Sequence, residues 1–571
     1  MRARGASALA DDPSVTSYIA LTQVDWVVAG RDKAAADGLR AEAFVAAQEI
    51  NVSKAGQAMA RTAARAAAGT GALGRLVSRQ QALADQVSAL EAAYVDANAR
   101  GDRTAADRAT AESAKAAAEL AAADAAIARQ FPDYGTLIAP RTVTIAEVQK
   151  RLAPDEGLLF IQPSNGDMFS FAVTRDKVAW HRAPKRQIPM GKEVEILICQ
   201  VDPDGCDYTK IPPPGPETPF QDDGYARFDR ATAYGLYRDL VAPVEGALAG
   251  TRRLYVTTTG SLARLPLGLL VTAPPPAGDD ADPAVLAATP WLADRYALTV
   301  LPAVSTLHAL KRTRPTGDQT AFRGYGAPHF NDSDAAGAAR GLRAPARAVF
   351  GGANGSALAD PAALRDLLPL PGTRVELMAM ASALKAPASA LRLDTAATEG
   401  ALRRDSGLAG ARVIAFATHG LLPDDISGLE EPGLVFTPPG IASADDDGVL
   451  TASEAAGLTL SADWVILSAC NTAAAEAGAE SLSGLSRAFL FAGAGALLAS
   501  HWRVSDEATA ILTVETLGDS ARMTRATALQ AAMRGVRTGT RPDGSAIAGW
   551  KPEWAHPAFW SPFSVIADHD D

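Results

Sequence analysis

The sequence predicts an α/β protein: a doubly wound, mostly parallel sheet flanked by helices, preceded by an all-α amino-terminal domain of hairpin or coiled-coil type. Three observations predict this fold class. Residues 1–135 are helical in composition, residues 251–571 alternate apolar runs of strand length with helical segments, and those runs are apolar throughout, as in strands that helices cover on both faces. A chain of 571 residues is also too long for one hydrophobic core.

The amino-terminal part carries a seam of mostly large side chains spaced three and four apart, which predicts a helix with a coiled-coil-like face. Polar residues and Gly101 then interrupt the pattern, and a second helical segment occupies residues 104–129. We therefore expect an antiparallel helical hairpin. Packing within the chain and recognition of a partner protein are alternative roles for the seam, which comprises Leu73, Leu76, Gln80, Leu83, Val87, Leu90 and Tyr94.

Residues 143–250 form a second predicted region, which begins with a β-meander. Residues 158–162 and 168–173 are predicted strands, because they are apolar and a turn sequence, Asn165-Gly166, joins them. Residues 178–180 are a candidate third strand.

A loop and a helix complete this region. Residues 201–225 are rich in Pro, Gly and Asp, which predicts an exposed loop, and residues 231–248 are expected to be helical. Cys199 and Cys206 flank the start of the loop. Their spacing permits a disulfide in an oxidising compartment, and two unrelated thiols are the alternative.

Residues 251–571 form the third predicted region, in which strands and helices alternate. One helix is expected to begin near Thr373 with a capping box, in which the side chains of Thr373 and Glu376 each bond the other's backbone N–H. The acidic run at 445–447 is expected to be a solvated loop. The predicted strands are residues 253–258, 297–301, 321–325, 390–393, 412–417, 463–468 and 496–500.

Composition excludes several classes of function. The net charge of −11 argues against nucleic acid as the main partner. The three cysteines do not form a zinc-binding pattern, and the sequence has no Walker motif, so no metal or organic cofactor is expected. No apolar run is long enough to span a membrane. The first ten residues lack the apolar core of a signal peptide, which favours a cytoplasmic location, although export stays open.

Two of the predicted strands end in reactive side chains. One is followed by Thr418, His419 and Gly420, and the other leads through Ser468 to Cys470. If both strands are buried and parallel, these side chains lie at the carboxyl edge of the sheet, where open α/β sheets place their active sites. A structural histidine and a small buried cysteine are the alternatives.

A thiol beside an imidazole can attack an acyl group. The histidine activates the cysteine as a base or as an ion-pair partner, and it then protonates the leaving amine. Gly420 allows close approach of substrate, and the backbone N–H groups of Gly420 and Cys470 are the predicted oxyanion hole.

Several segments, in order along the chain, resemble the CHAT domain, a caspase- and separase-like family of cysteine peptidase domains. The resemblance covers roughly residues 150–566 and implies a caspase-like fold with His419 and Cys470 as the catalytic dyad. The segments are 253–257 with 262–267, then 370–374, 397–399, 417–420, 448–454, 467–470, 484–489, 499–509 and 556–563.

The sequence departs from this family at two places. Members usually carry an acidic residue and then Thr-Gly after the cysteine, whereas this chain has Asn471-Thr472-Ala473. The amino-terminal 135 residues also lack a clear tetratricopeptide pattern, which is the usual partner-binding module of the family.

We therefore expect a cysteine endopeptidase that cleaves a protein partner in a regulated bacterial-type signalling or defence role. A CHAT scaffold without turnover and a thiol-dependent amidase are the alternatives. Trp502, Asp506 and Glu507 follow a predicted strand end where the caspase-like fold lines its substrate pocket. Trp502 is a candidate wall of that pocket, or else a core aromatic. The two carboxylates are candidate partners of a basic P1 residue, or else they stabilise the start of a helix.

Overall fold

The structure is a computed structural model. It describes the following residues: 13–50, scattered positions between 76 and 100, 102–130, 142–164, 167–183, 188–202, 206, 227–308, 322–330, 358–421, 432–443, 445–468, 479–502, 506–520 and 522–567.

The centre of the molecule is a sheet of eleven strands in the order β3-β2-β1-β4-β5-β14-β13-β12-β8-β6-β7. A small second sheet has the order β11-β10-β9. The strands are β1 (Glu156–Ser164), β2 (Asp167–Thr174), β3 (Val178–Arg182), β4 (Arg253–Thr258), β5 (Ala297–Val300), β6 (Phe322–Pro328), β7 (Leu391–Asp394), β8 (Val413–Ala417), β9 (Gly420–Leu421), β10 (Gly433–Val435), β11 (Val449–Thr451), β12 (Trp464–Leu467), β13 (Ala496–Ser500) and β14 (Phe563–Ala567).

Apart from β2 and β3, which form an antiparallel meander with β1 at one end, the large sheet consists of two halves that run in opposite directions. Strands β1, β4, β5 and β14 are parallel to one another, and so are β13, β12, β8, β6 and β7. The two halves meet where β13 pairs antiparallel with β14. The carboxyl ends of the second half therefore lie at one edge of the sheet, and those of the first half lie at the opposite edge. This mostly parallel, helix-flanked sheet confirms the predicted fold class.

Helices cover the sheet and precede it. The amino-terminal helices are α1 (Pro13–Arg31), α2 (Ala36–Glu49) and α3 (Arg103–Gln130). The others are α4 (Ile145–Arg151), α5 (Met190–Val201), α6 (Arg230–Leu240), α7 (Ala242–Glu245), α8 (Pro283–Ala288), α9 (Leu292–Arg295), α10 (Pro361–Leu364), α11 (Pro371–Ala383), α12 (Glu399–Arg403), α13 (Ala452–Ala456), α14 (Ala479–Ala492), α15 (Asp506–Asp519), α16 (Arg525–Thr538) and α17 (Pro557–Trp560). None of the described helices is long and apolar enough to cross a membrane.

The amino-terminal region is helical, as the sequence predicts. All of the seam positions except Leu73, which lies outside the described residues, are helical. Arg79, which is also helical, pairs with Glu119 on α3 at 3.5 Å, and the antiparallel hairpin stays a prediction.

Helix α2 is packed onto the sheet rather than separated from it. Phe44 makes edge-on contacts with Phe160 of β1 and Phe171 of β2, at centroid distances of 5.9 and 5.5 Å. The predicted division at residue 251 falls within one continuous sheet, because β1 pairs with β4.

Two local predictions are wrong. Helix α11 begins at Pro371, two residues before Thr373, so no capping box forms. Proline suits this first position because its missing N–H would have no helical partner there. The acidic run is not fully solvated either, since Asp447 is buried and accepts backbone N–H bonds from Ala359 and Val449.

Cys199, near the end of α5, forms a disulfide with Cys206. Of the two alternatives that the spacing allows, the structure therefore has the disulfide and not two separate thiols. Most of the predicted loop that follows lies outside the described residues.

Buried carboxylates support the small sheet. Glu399, which is 1% exposed, accepts the Asp447 N–H and pairs with Arg403, which also pairs with Glu454. Burial and the neighbouring Glu454 carboxylate raise the pKa of Glu399 to about 7. Because ionisation of Glu399 is disfavoured in the folded state, its contribution to stability is present below about pH 4.5 and is lost as the pH rises through 7.

We therefore expect Glu454→Gln to reduce the loss of stability between pH 5 and pH 8 by about 1 kcal/mol, because it removes the charge that opposes ionisation of Glu399. Glutamine can still complete the capping box with Thr451. Urea denaturation of wild type and variant at both pH values measures the difference. Glu507→Gln, which changes an exposed carboxylate, is the control. An identical pH dependence in wild type and Glu454→Gln would contradict this account.

Candidate active site

The strands that lead to His419 and Cys470 are neighbours in the sheet. Strands β8 and β12 are parallel and paired, with Phe416 opposite Leu467, and the Ser468 N–H continues the ladder to the Phe416 carbonyl at 2.9 Å. Both strands therefore end at the same edge. Cys470 itself lies outside the described residues, two positions beyond Ser468.

The His419 imidazole has a defined orientation. Its Nε2 lies 2.8 Å from the carbonyl oxygen of Leu368, and the Phe330 ring lies beside it at a centroid distance of 5.5 Å. Since a carbonyl oxygen only accepts hydrogen bonds, Nε2 carries the proton. In the neutral ring Nδ1 is then the basic nitrogen.

The backbone on both sides of His419 is held by β10. The buried Thr418 hydroxyl donates to the Val435 carbonyl, and the Val435 N–H donates to the His419 carbonyl at 2.9 Å. On the other side, Gly326 of β6 approaches β8 closely, and a Cβ there would lie 2.4 Å from the Ala417 carbonyl oxygen. The position of His419 thus depends on two neighbouring strands.

Thr437 joins the ends of three segments at this edge. Its hydroxyl accepts from the His329 N–H at 2.9 Å and donates to the Asp394 carbonyl at 2.7 Å. Its own N–H donates to the Ala397 carbonyl at 2.9 Å. One threonine therefore links the ends of β6 and β7 to the chain that follows β10.

The end of β12 is held by two hydroxyl groups. Ser500, at the end of β13, donates to the Leu467 carbonyl at 3.2 Å. Ser468 donates to Oε2 of Glu376 on α11 at 2.8 Å. Sequence reasoning placed Glu376 in a helix cap and overlooked this contact. No local signal indicated it, because Ser468 lies 92 positions away along the chain.

The predicted pocket residues lie in three different settings. Trp502 is 2% exposed and donates from its indole to the Ala558 carbonyl at 3.0 Å. Asp506 is the first residue of α15, but its side chain lies outside the described residues. Glu507 is largely exposed and pairs with Lys551 at 2.7 Å. Their contact with substrate stays a prediction.

Within the part of the chain that the structure describes, no group of three His, Cys, Asp or Glu side chains is placed to hold a metal ion. His501, beside the pocket candidates, bonds Ser564 at 2.8 Å, and burial lowers its pKa to about 4. It is therefore a neutral core histidine at physiological pH.

The family model of the CHAT domain matches residues 230–568, which is more than half of the chain. The chain therefore belongs to the CHAT family, as the sequence segments indicate. No curated protein matches the sequence significantly.

Two solved structures are similar in fold, both of the separase–securin complex from Saccharomyces cerevisiae. One, at 3.0 Å resolution, aligns with a TM-score of 0.37 and 9% identity over 74% of this chain and 30% of the separase chain. The other, at 2.6 Å, aligns with a TM-score of 0.38 and 8% identity over 82% and 34%. The similarity is remote, and this chain spans about a third of the length of those it matches.

Proposed function

We propose that this protein is a cysteine endopeptidase with Cys470 as nucleophile and His419 as general acid and base. One observation supports this most strongly: His419 follows a strand that pairs, in parallel, with the strand leading to Cys470, and its Nε2–H is bonded to the Leu368 carbonyl. The bonded nitrogen leaves Nδ1 as the base.

In the proposed reaction, Nδ1 of His419 takes the proton of the Cys470 thiol, and the thiolate attacks the carbonyl carbon of the scissile peptide. The Leu368 carbonyl stabilises the imidazolium, because it accepts the Nε2–H of the charged ring. The N–H groups of Gly420 and Cys470 are the proposed donors to the oxyanion.

His419 then gives its proton to the leaving amine, and a thioester to Cys470 remains. A water molecule loses a proton to Nδ1, attacks the thioester and releases the carboxylic acid product together with the thiol. No metal or organic cofactor takes part in these steps.

The substrate is proposed to be a protein partner, and the amino-terminal helices are the proposed recognition element. A scaffold role is the second candidate, since the residues after Cys470 depart from the family pattern. Incubation of a peptide library with the wild type and, separately, with Cys470→Ala distinguishes turnover from binding. Analysis of the products distinguishes an endopeptidase from an amidase.

The Cys199–Cys206 disulfide bears on the compartment. Disulfides of this kind persist in oxidising environments and are rare in the cytosol. It therefore favours an exported protein over a cytoplasmic one.

The first prediction from the proposed function concerns the nucleophile. Cys470 is the one cysteine of three outside the disulfide, so iodoacetamide should label only this residue in the oxidised protein. Cys470→Ala should abolish labelling and cleavage without unfolding the protein, because alanine resembles the thiol in size. Mass spectrometry of tryptic peptides and cleavage assays measure both effects. Proteolysis retained by Cys470→Ala would exclude the mechanism.

The second prediction concerns the base. His419→Ala should lower kcat/KM by about 10³- to 10⁴-fold, because thiol activation and leaving-group protonation both fail. The double variant with Cys470→Ala should be hardly worse than either single variant, since residues that act as a unit are not additive. Steady-state kinetics of the three variants test this, and multiplicative losses would argue against a dyad.

The third prediction concerns specificity. A carboxylate at Asp506 should favour Arg or Lys at P1, because a partly desolvated ion pair attracts a cation and repels an acidic residue. Asp506→Asn should lower this preference about tenfold, which corresponds to one ion pair of about 1.4 kcal/mol. Positional peptide libraries give the profile, with Glu507→Gln as the neighbouring comparison. An unchanged profile would assign Asp506 to the helix start alone.

A further inference from the structure

Glu376 is a buried carboxylate that the proposed mechanism does not use. It lies on α11 with 4% of its surface exposed, and its neighbours Leu377 and Met380 belong to the main hydrophobic core. Burial of a carboxylate is unfavourable unless hydrogen bonds compensate for the lost water. Glu376 accepts such a bond from the Ser468 hydroxyl at 2.8 Å.

Ser468 is the residue through which β12 continues towards Cys470. Its N–H is bonded to β8, and the preceding carbonyl accepts from Ser500 of β13. These two contacts lie along the sheet, whereas the bond to Glu376 comes from a helix on one face. The end of β12 is thus held in a third direction.

The same short segment that carries Glu376 also supports His419. Leu368, eight positions earlier, presents the carbonyl that receives Nε2–H. Between them, the Thr373 hydroxyl accepts the Ala327 N–H at the end of β6, and Arg374 pairs with Asp394 at the end of β7. Residues 368–376 are therefore anchored to the ends of two strands while they contact His419 and the chain that leads to Cys470.

We propose that Glu376 is a positioning residue, which acts through Ser468 to set the distance between the Cys470 thiol and the His419 imidazole. This inference rests on the proposed cysteine-peptidase function. A peptide bond is attacked only when thiol, base and carbonyl are aligned to within about 0.5 Å, and loss of one support therefore lowers turnover more than binding.

The test compares Ser468→Ala, Glu376→Leu and Glu376→Gln with wild type. The first two variants remove the donor or the acceptor, and each should slow alkylation of Cys470 and lower kcat at least tenfold while KM stays within about twofold. Glutamine retains an acceptor oxygen, so Glu376→Gln should recover most of the loss. The double variant Ser468→Ala with Glu376→Leu should be no worse than either single change.

Ser520, which contacts the opposite end of β12, provides the matched control. The Ser520 hydroxyl accepts from the indole of Trp464, the first residue of β12, at 3.2 Å. Ser520→Ala should leave alkylation and kcat unchanged at a comparable melting temperature. Ser468→Ala is the milder variant, so the comparison stands even if Glu376→Leu does not fold.

The outcomes separate this proposal from the proposed function. If wild-type Cys470 is no more reactive than a free thiol and the protein cleaves no peptide, the peptidase function fails, and the role of Glu376 fails with it. If the wild type is reactive but Ser468→Ala matches it, the peptidase function stands and only the positioning role is overturned. If Ser468→Ala and Ser520→Ala both lose activity in proportion to the fall in melting temperature, the positioning role is also overturned.

Discussion

The parallel pairing of β8 with β12 in the interior of the sheet is the constraint on which the candidate site depends. Each of the two strands has a second neighbour, β6 on one side and β13 on the other, so their backbone groups are used in ladders on both edges. A slip of one residue would turn every side chain to the opposite face of the sheet, which makes the register strongly specified in a buried strand. This register places the carboxyl ends of β8 and β12 next to each other.

The antiparallel contact between β13 and β14 gives the sheet its division into two halves. It also explains why two histidines that both follow strands of the same half of the sheet differ in their burial. His501 follows β13 but lies against β14, where burial lowers its pKa to about 4 and Ser564 bonds its ring. His419 follows β8 at the open edge and is only partly buried. The first is suited to packing and the second to proton transfer.

Where the strands end, hydrogen bonds from polar side chains replace the backbone bonds of the sheet. Beyond the last paired residue, backbone carbonyls and N–H groups at a buried edge need partners from elsewhere. Thr418, Thr437 and Ser500 supply them, each through a hydroxyl that bonds the backbone of another strand or of the chain beyond it. This edge is therefore fixed by side chains from several elements.

Local patterns predicted most strands of the large sheet because those strands are continuous apolar runs. They did not predict β14, a five-residue strand that follows a segment rich in Trp and Pro, nor β9, β10 and β11, which are two or three residues long. Strands that short have no periodicity of their own, and they exist because neighbouring chain offers hydrogen bonds. Asp447 was mistaken for the same reason, since one of its backbone partners, Ala359, lies 88 positions away along the chain.

By itself, the sequence determined the family and the fold class, because contiguous segments of a few residues carry both, and it predicted His419 and Cys470 as the reactive pair. The tertiary structure alone decided which nitrogen of His419 carries the proton and which side chain Glu376 contacts. Leu368 is 51 positions from His419, and Glu376 is 92 positions from Ser468. Contacts over such separations arise from the order of strands in the sheet and the helix packed upon it, and no local pattern of residues encodes them.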